Sequence, residues 1–103
     1  MLAARLQRGY VTARPGVDAS LSPPSDLFRR LLVDCITHSE PAIALAESVF
    51  GQESIVFGSD WPFPMGIISP GEQLASFDAD RRRRICCSGA VRLRYIRTKI
   101  DQE

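Results

Sequence analysis

The spacing of apolar residues divides the chain into alternating strand-like and helix-like segments. Two largely apolar runs, at residues 31–36 and 54–58, predict short strands, because aliphatic and β-branched runs suit strands that are covered on both faces. Residues 40–50 instead show helical spacing, with Ser39 as the expected N-cap and Gly51 as the residue that ends the helix. This order predicts a βαβ unit in which the two strands are parallel and adjacent.

The side chains of the second predicted strand alternate between its two faces. Ile55 and Phe57 are therefore expected to fill the core on one face, and Val56 on the other. If Phe57 is fully buried, its truncation to alanine is expected to cost about 3 kcal/mol or more.

Weaker helical patterns precede and follow this unit. They rest on helix formers, prolines and capping residues rather than on a strong apolar stripe. The predicted segments are a helix at 2–9, an extended loop at 10–24, a short helix capped by Ser25 or Asp26, a helix from Ser69-Pro70 to about Phe77, a helix from Asp78 or Asp80 past Ile85, and a frayed tail from Thr98. The sequence is thus of the mixed α/β class and is centred on residues 31–66.

Composition narrows the functional classes. The chain has 103 residues, of which 45% are hydrophobic, and a net charge of +1, as expected of an ordinary α/β domain of the cytoplasm. The balanced charge gives no argument for nucleic acid or a membrane as partner, and no apolar run approaches the ~20 residues of a membrane-spanning helix. The three cysteines are an odd number without metal-binding spacing. Cys35, Cys86 and Cys87 are therefore expected to be reduced, with the adjacent pair buried.

A run of four arginines, Arg81–Arg84, is the densest charge in the sequence. On a helix, four consecutive positions point around most of the circumference, so these residues form no single basic stripe. Asp78 and Asp80 offset part of the charge at the helix start. The run therefore predicts a solvated helix face rather than a nucleic-acid interface.

An acidic residue follows the second predicted strand. Asp60 comes two residues after Gly58, and Pro62 and Pro64 then stop regular structure. Because α/β folds place ligand-binding and catalytic side chains just beyond the carboxyl ends of their strands, Asp60 is a candidate for chemistry. The alternative is a turn cap, in which the carboxylate accepts backbone N–H bonds. The neighbouring Trp61 suits a pocket wall and ordinary core filling equally well.

The residues around this acid carry a resemblance to a known family. Residues 57–66, FGSDWPFPMG, resemble the G-(S/T)-D-(Y/W)-P-F-x-x-G segment of the amidohydrolase-related family, in particular its aminocarboxymuconate-semialdehyde decarboxylase branch. Weaker matches to the closing helices of that family lie at 80–85 and 90–93. In the family the segment closes the eighth strand of a (β/α)8 barrel, and its aspartate is a ligand of the catalytic divalent metal. The resemblance thus implies that Asp60 ligates a divalent metal, with zinc as the expected ion.

The fold implied by the resemblance is the C-terminal portion of a TIM barrel. A complete (β/α)8 barrel needs about 250 residues, so the chain would supply less than half of one. The resemblance assigns residues 1–30 to the end of helix six and a long loop, residues 31–66 to strand seven, its helix, strand eight and the loop around Asp60, here called the acid loop, and residues 67–103 to closing helices. The family's other metal-ligand histidines and its catalytic histidine have no counterparts in this chain.

Further candidates follow from the same resemblance. Family members often carry Thr-His after strand seven, so His38 is expected to bind substrate or support the pocket, and the alternative is a hydrogen-bonded wall residue. Arg5 falls where the decarboxylase branch has an arginine that reaches the substrate carboxylate of a neighbouring subunit, which implies a homo-oligomer. The planar guanidinium suits a carboxylate, and the alternative is a solvated arginine beside Arg8. Trp61 completes the expected substrate-binding set.

The implied reaction is decarboxylation of a carboxylated unsaturated or aromatic substrate, or a hydrolysis, through a metal-activated water. Two other classes stay open for the chain alone: a truncated product without catalysis, and a small binding module that reuses two βα units. Exposed parallel strand edges would drive association of a truncated product, whereas a module would behave as a defined monomer or dimer.

Overall fold

A two-stranded parallel sheet lies at the centre of the fold. The computed structural model describes residues 2–89, 91, 92 and 94, so the predicted tail from Thr98 lies outside the described residues. In chain order the elements are α1 (Leu2–Val11), α2 (Pro24–Phe28), β1 (Val33–Asp34), α3 (Glu40–Phe50), β2 (Ile55–Val56), α4 (Pro70–Ser76) and α5 (Ala79–Arg83). A 3-10 turn spans Gln52–Ser54, and a π-helical turn spans Arg84–Ser88.

Strands β1 and β2 are parallel and adjacent, which confirms the predicted βαβ unit. The paired residues are Val33 with Ile55 and Asp34 with Val56. The strands are shorter than the predicted 31–36 and 54–58, because the flanking backbone groups find other partners. The Ile36 N–H bonds a carboxylate oxygen of Asp34 at 2.9 Å, and the Phe57 N–H bonds the Ile85 carbonyl at 3.2 Å.

Helix α3 connects the two strands and has the ends that the sequence predicts. The Ser39 hydroxyl accepts the Ala42 N–H at 3.4 Å, which satisfies one of the free donors at the helix start. Gly51 ends the helix with a φ of 97°, a conformation that glycine adopts without a steric penalty. Ile43 of this helix is fully buried in the core. These ends were predictable because their signals are local.

Helices α1 and α2 flank the long loop near the start of the chain. Helix α1 ends at Val11, two residues beyond the predicted end at Gly9. Helix α2 begins at Pro24, whose fixed φ suits a first turn and whose missing N–H leaves no donor unsatisfied there. The predicted cap by Ser25 or Asp26 is wrong, since α2 has no side-chain cap.

Helices α4 and α5 follow the acid loop as predicted. Helix α4 ends at Ser76, one residue before the predicted Phe77. The Asp78 carboxylate caps α5 by accepting the Arg81 N–H at 2.8 Å, and this hydrogen bond holds the pKa of Asp78 below its usual value. The chain then passes directly into the π-helical turn. In the described part of the chain, no helix has the length and apolar content needed to cross a membrane.

The hydrophobic core contains residues from the sheet, α3 and the segments after the acid loop. Its buried residues are Cys35, Ile43, Ile55, Ile67, Phe77 and Ile85. Ile55 is buried as predicted, but the expectation that Phe57 joins it is wrong, because Phe57 is 39% exposed. Phe57 lies beyond the end of β2, so the alternation of the strand does not extend to it. The full truncation cost expected for a buried Phe57 therefore does not apply.

An ion cluster that is buried at Glu47 and exposed at Glu40 joins α3 to α5. The Arg81 guanidinium donates two hydrogen bonds to the Glu47 carboxylate, from Nε to Oε1 and from Nη2 to Oε2, both at 2.9 Å. Arg81 also pairs with Glu40, and Arg84 Nη2 lies 3.6 Å from Glu47 Oε1. The hydrogen bond to Glu47 is the main reason that the pKa of Arg81 is raised above its usual value.

The arginine run and the two cysteines after it differ from the prediction in their burial. The solvated face is wrong for Arg81 and Arg84, whose side chains are only 12% and 20% exposed because a glutamate of α3 lies opposite. Cys86 and Cys87 are free and exposed rather than buried. Ile85 is instead the residue of the π-helical turn that enters the core.

Candidate functional site

The loops that follow the two strands each contain a residue with a left-handed backbone conformation. Strand β1 ends at Asp34 and β2 at Val56, and the fourth residue after each strand, His38 and Asp60 respectively, has a left-handed backbone. The φ values are 50° for His38 and 55° for Asp60. Residues with a Cβ adopt this conformation rarely, and such residues cluster in turns and at functional sites. Because the paired strands are parallel, both loops leave the same edge of the sheet.

The loop after β2 folds back on itself. The Ile67 N–H bonds the Ser59 carbonyl at 2.8 Å, which closes the loop at its base. Inside the loop, the Phe63 N–H bonds the Asp60 carbonyl at 2.9 Å, and the Gly66 N–H bonds the Phe63 carbonyl at 3.0 Å. Asp60 is thus fixed through its backbone at the start of a closed, hydrogen-bonded segment.

The Asp60 carboxylate is exposed and has no hydrogen-bond or ion-pair partner among the described residues. The sequence left open whether this side chain caps the turn. The Trp61 N–H bonds the Ser59 hydroxyl at 3.3 Å, so Ser59 provides the local side-chain acceptor. The carboxylate of Asp60 is therefore available to a ligand.

Gly66 allows the loop to close on itself. A Cβ on Gly66 would lie 2.2 Å from the Ser59 carbonyl oxygen and 3.1 Å from the Asp60 Cβ. The first of these distances is far below any van der Waals contact, and the atom approached belongs to the backbone. The final glycine of the FGSDWPFPMG segment is therefore required for the close approach of two backbone stretches.

We expect Gly66→Ala to displace the acid loop and to lower the free energy of unfolding by about 1–3 kcal/mol, the usual cost of overpacking. Urea unfolding measures this change. Gly71→Ala is the matched control, because a Cβ at Gly71 meets no atom within 4 Å. Equal stability of the two variants would contradict the close approach at Gly66.

His38 connects the two loops. Its Nε2 lies 2.7 Å from the Met65 carbonyl oxygen. Because a carbonyl oxygen only accepts, Nε2 carries the hydrogen and donates it. His38 also borders a cavity of about 530 Å³ together with Thr37, Gln73 and other residues. The structure thus brings His38 into direct contact with the loop that carries Asp60.

Two residues that support these loops were not found from the sequence. Met65 takes part through its backbone carbonyl, and a backbone acceptor leaves no signal in the residue type. The Gln73 side-chain amide donates to the Cys35 carbonyl at 3.3 Å and so ties α4 to the end of β1. Gln73 is one of several polar residues in α4, and nothing in the sequence distinguishes it.

Comparison with known proteins assigns the family. The family model described as Amidohydrolase matches residues 14–93. The chain belongs to the amidohydrolase family. It is 31% identical over 74 residues to a Dictyostelium discoideum protein named 2-amino-3-carboxymuconate-6-semialdehyde decarboxylase, and 33% identical over 73 residues to a Caenorhabditis elegans protein of the same name. The matches cover 70% and 68% of this chain but only 20% and 18% of the relatives, so the chain spans about a fifth of their length.

The other two expected substrate-binding residues of this amidohydrolase chain lie in different settings. Arg5 is exposed on α1 and borders a separate cavity, formed by α1 and the loop that follows it. The structure therefore does not bring Arg5 to the cavity that His38 borders. Trp61 is 82% exposed beside Asp60, so core filling is ruled out for it within the described structure.

The Asp60 carboxylate is the candidate metal ligand of this chain. Among residues 2–89, 91, 92 and 94, no group of three His, Cys, Asp or Glu side chains could hold a metal ion. The free Asp60 carboxylate supplies a hard oxygen ligand, which divalent cations accept. His38 donates from Nε2 to the Met65 carbonyl, which leaves the lone pair of Nδ1 as its ligand atom. Asp60 and His38 do not complete a ligand set by themselves.

Proposed function

We propose that this chain is the C-terminal part of a metal-dependent amidohydrolase-family enzyme that removes CO2 from a carboxylated unsaturated or aromatic substrate. The observation that carries the proposal is the exposed Asp60 carboxylate, free of partners in the described structure and just beyond the carboxyl end of β2. The names of the two relatives support decarboxylation. The family description makes hydrolysis the alternative reaction.

The proposed architecture is the end of a (β/α)8 barrel. Two parallel strands joined through α3 support it, because such barrels are built from βα units of this kind. Residues 1–30 would contribute the end of a helix and a loop, residues 31–66 two barrel strands and the acid loop, and residues 67–103 the closing helices. The outer edges of β1 and β2 would then pair with neighbouring barrel strands.

Asp60 is proposed to supply one oxygen ligand to a divalent metal, for which zinc is the expected ion. When bound, the metal supplies Lewis acidity and an activated water at neutral pH. The closed loop holds the backbone of Asp60 and so fixes the point from which its side chain extends. Fixed ligand geometry of this kind is what catalytic sites require of their supporting residues.

The remaining ligands are proposed to come from parts of the enzyme outside this sequence. A catalytic zinc takes three or more protein ligands, and the chain matches only a fifth of each relative. In the intact enzyme, Arg5 stays a candidate for the substrate carboxylate across a homo-oligomer interface, and His38 and Trp61 stay candidates for the pocket. The second candidate is a chain without activity of its own, since no group of three His, Cys, Asp or Glu side chains in the described residues could hold a metal ion.

Co-expression tests the proposal. The chain is produced together with the N-terminal four-fifths of the Dictyostelium relative, and bound metal and CO2 release from 2-amino-3-carboxymuconate 6-semialdehyde are measured. We expect the complex to hold zinc stoichiometrically and to release CO2, because the chain then supplies the missing ligand and barrel strands. Neither part alone is expected to do so.

The isolated chain is the control for this experiment. Calorimetry at neutral pH should detect no tight zinc site, because one carboxylate is not a sufficient ligand set. A stoichiometric, sub-micromolar site in the isolated chain would mean that the assigned ligand set is wrong. A stable complex with neither metal nor turnover would contradict the proposed enzyme and favour a binding module.

A further inference from the structure

His38 lies where the two strand-end loops touch. Its Nε2–H bonds the Met65 carbonyl at 2.7 Å, and the two residues are 27 positions apart in sequence. Met65 lies between Phe63, whose N–H bonds the Asp60 carbonyl, and Gly66, whose N–H bonds the Phe63 carbonyl. The contact made by His38 therefore reaches Asp60 through a short, continuous, hydrogen-bonded segment.

The backbone of both loops requires such support. Asp and His adopt left-handed conformations more readily than most residues with a Cβ, but those of His38 and Asp60 still carry a cost that the surroundings offset. The bond from the Ile67 N–H to the Ser59 carbonyl ties the acid loop only to itself. The bond from His38 to Met65 ties the acid loop to its neighbour, and so to β1.

We infer that His38 is a positioning residue, whose ring holds the acid loop against the loop after β1 and thereby sets the position of the Asp60 backbone, from which the carboxylate extends. The inference rests on the proposed function only for what the carboxylate binds. Because Nε2 is occupied, His38 acts through the Met65 carbonyl and not by presenting this nitrogen to a substrate. The sequence left a supporting role open for His38 beside a substrate contact, and the bond to Met65 favours the supporting role.

Two substitutions at His38 separate the ring's hydrogen bond from its backbone conformation. Asn tolerates a left-handed backbone well, but its amide nitrogen reaches only about as far as imidazole Nδ1. Gln places an amide donor near the position of Nε2, although it fits the left-handed backbone less well. If the hydrogen bond to Met65 holds the two loops together, His38→Asn should lose this contact and His38→Gln should keep it.

Amide hydrogen exchange and the carbonyl 13C shift of Met65 report on the contact between the two loops. Both are measured on the 103-residue chain without metal or substrate. We expect His38→Asn to speed exchange at the Ile67 and Gly66 amides by about tenfold, the loss that one hydrogen bond accounts for, and to shift the Met65 carbonyl signal. The Gly51 N–H, which donates to the backbone carbonyl of Glu47 at the end of α3, is the internal control, and its exchange rate should not change. His38→Gln should return both signals toward those of the native chain.

Three outcomes would overturn the inference. These are unchanged exchange at Ile67 and Gly66 in His38→Asn, equal acceleration at Gly51, and the same behaviour of the Asn and Gln variants. Because the measurement involves no metal and no turnover, it can succeed when the co-expressed enzyme fails. In an active complex, His38→Asn should lower turnover with little change in KM, and His38→Gln should restore it.

Discussion

Replacing Asp60 by Asn in the co-expressed complex is expected to abolish metal binding and to lower turnover by at least about 100-fold. Mutating a residue that only supports a metal ligand already lowers metal affinity or activity by about 10–100-fold, and loss of the ligand itself should have a larger effect. The amide removes the charge and the more basic oxygen that a divalent cation needs. Folding should change little, because the carboxylate has no partner in the described structure and Asn suits a left-handed backbone. Metal content and CO2 release are measured on the purified complex at matched thermal stability.

Asp26→Asn is the matched control for this experiment. Asp26 is an exposed carboxylate on α2, remote in sequence from the acid loop, and its loss should leave metal content and rate unchanged. Asp60→Asn with full metal content and full rate would reduce Asp60 to a structural residue. In that case the main support for the proposed enzyme would be gone.

Glu47→Gln is expected to have the largest effect on stability, about 3–5 kcal/mol of unfolding free energy. The Glu47 side chain is only 9% exposed and faces two arginines, so the neutral amide removes their buried counter-charge and leaves Arg81 with the exposed carboxylate of Glu40. Arg81 loses a bidentate carboxylate partner, which is the strongest common geometry for an arginine. Urea unfolding followed by circular dichroism measures the change.

Glu40→Gln provides the comparison for the ion cluster. Glu40 pairs with the same guanidinium, but its side chain is 60% exposed, so solvent screens the pair. The expected loss is below about 1 kcal/mol, as for other exposed ion pairs. Similar losses in the two variants would show that burial of Glu47 does not determine the strength of its pairing.

The sequence predicted those parts of the fold that have local signals. Helix α3 has the predicted first and last residues because Ser39 and Gly51 act within one turn of them. The parallel pairing was also predicted, because a strand, a helix and a strand in succession leave few arrangements. The extent of each strand was overestimated, since an apolar run does not specify where the pairing ends. Phe57 illustrates this, because its N–H bonds the π-helical turn and not a strand.

Features that depend on distant contacts could not be predicted in the same way. The four arginines form no single basic stripe on their helix, so the sequence does not indicate which of them is paired. The packing of α3 against α5 shows that Glu47 faces Arg81. At the candidate site, the position of Asp60 beyond a strand was predicted from the sequence. The contact of His38 was not, because its acceptor is the Met65 backbone and every residue has a carbonyl.

Trp61 is a fluorescence reporter of the candidate site. It is the single tryptophan of the chain, it follows Asp60 directly, and it is 82% exposed. Indole fluorescence in water lies at longer wavelength than in apolar surroundings, so the emission of the isolated chain should lie toward the red. Covering the acid loop with the other strands of the proposed barrel or with a bound molecule should move the emission toward the blue. The chain thus contains a natural optical reporter next to Asp60, and assembly can be titrated without any added label.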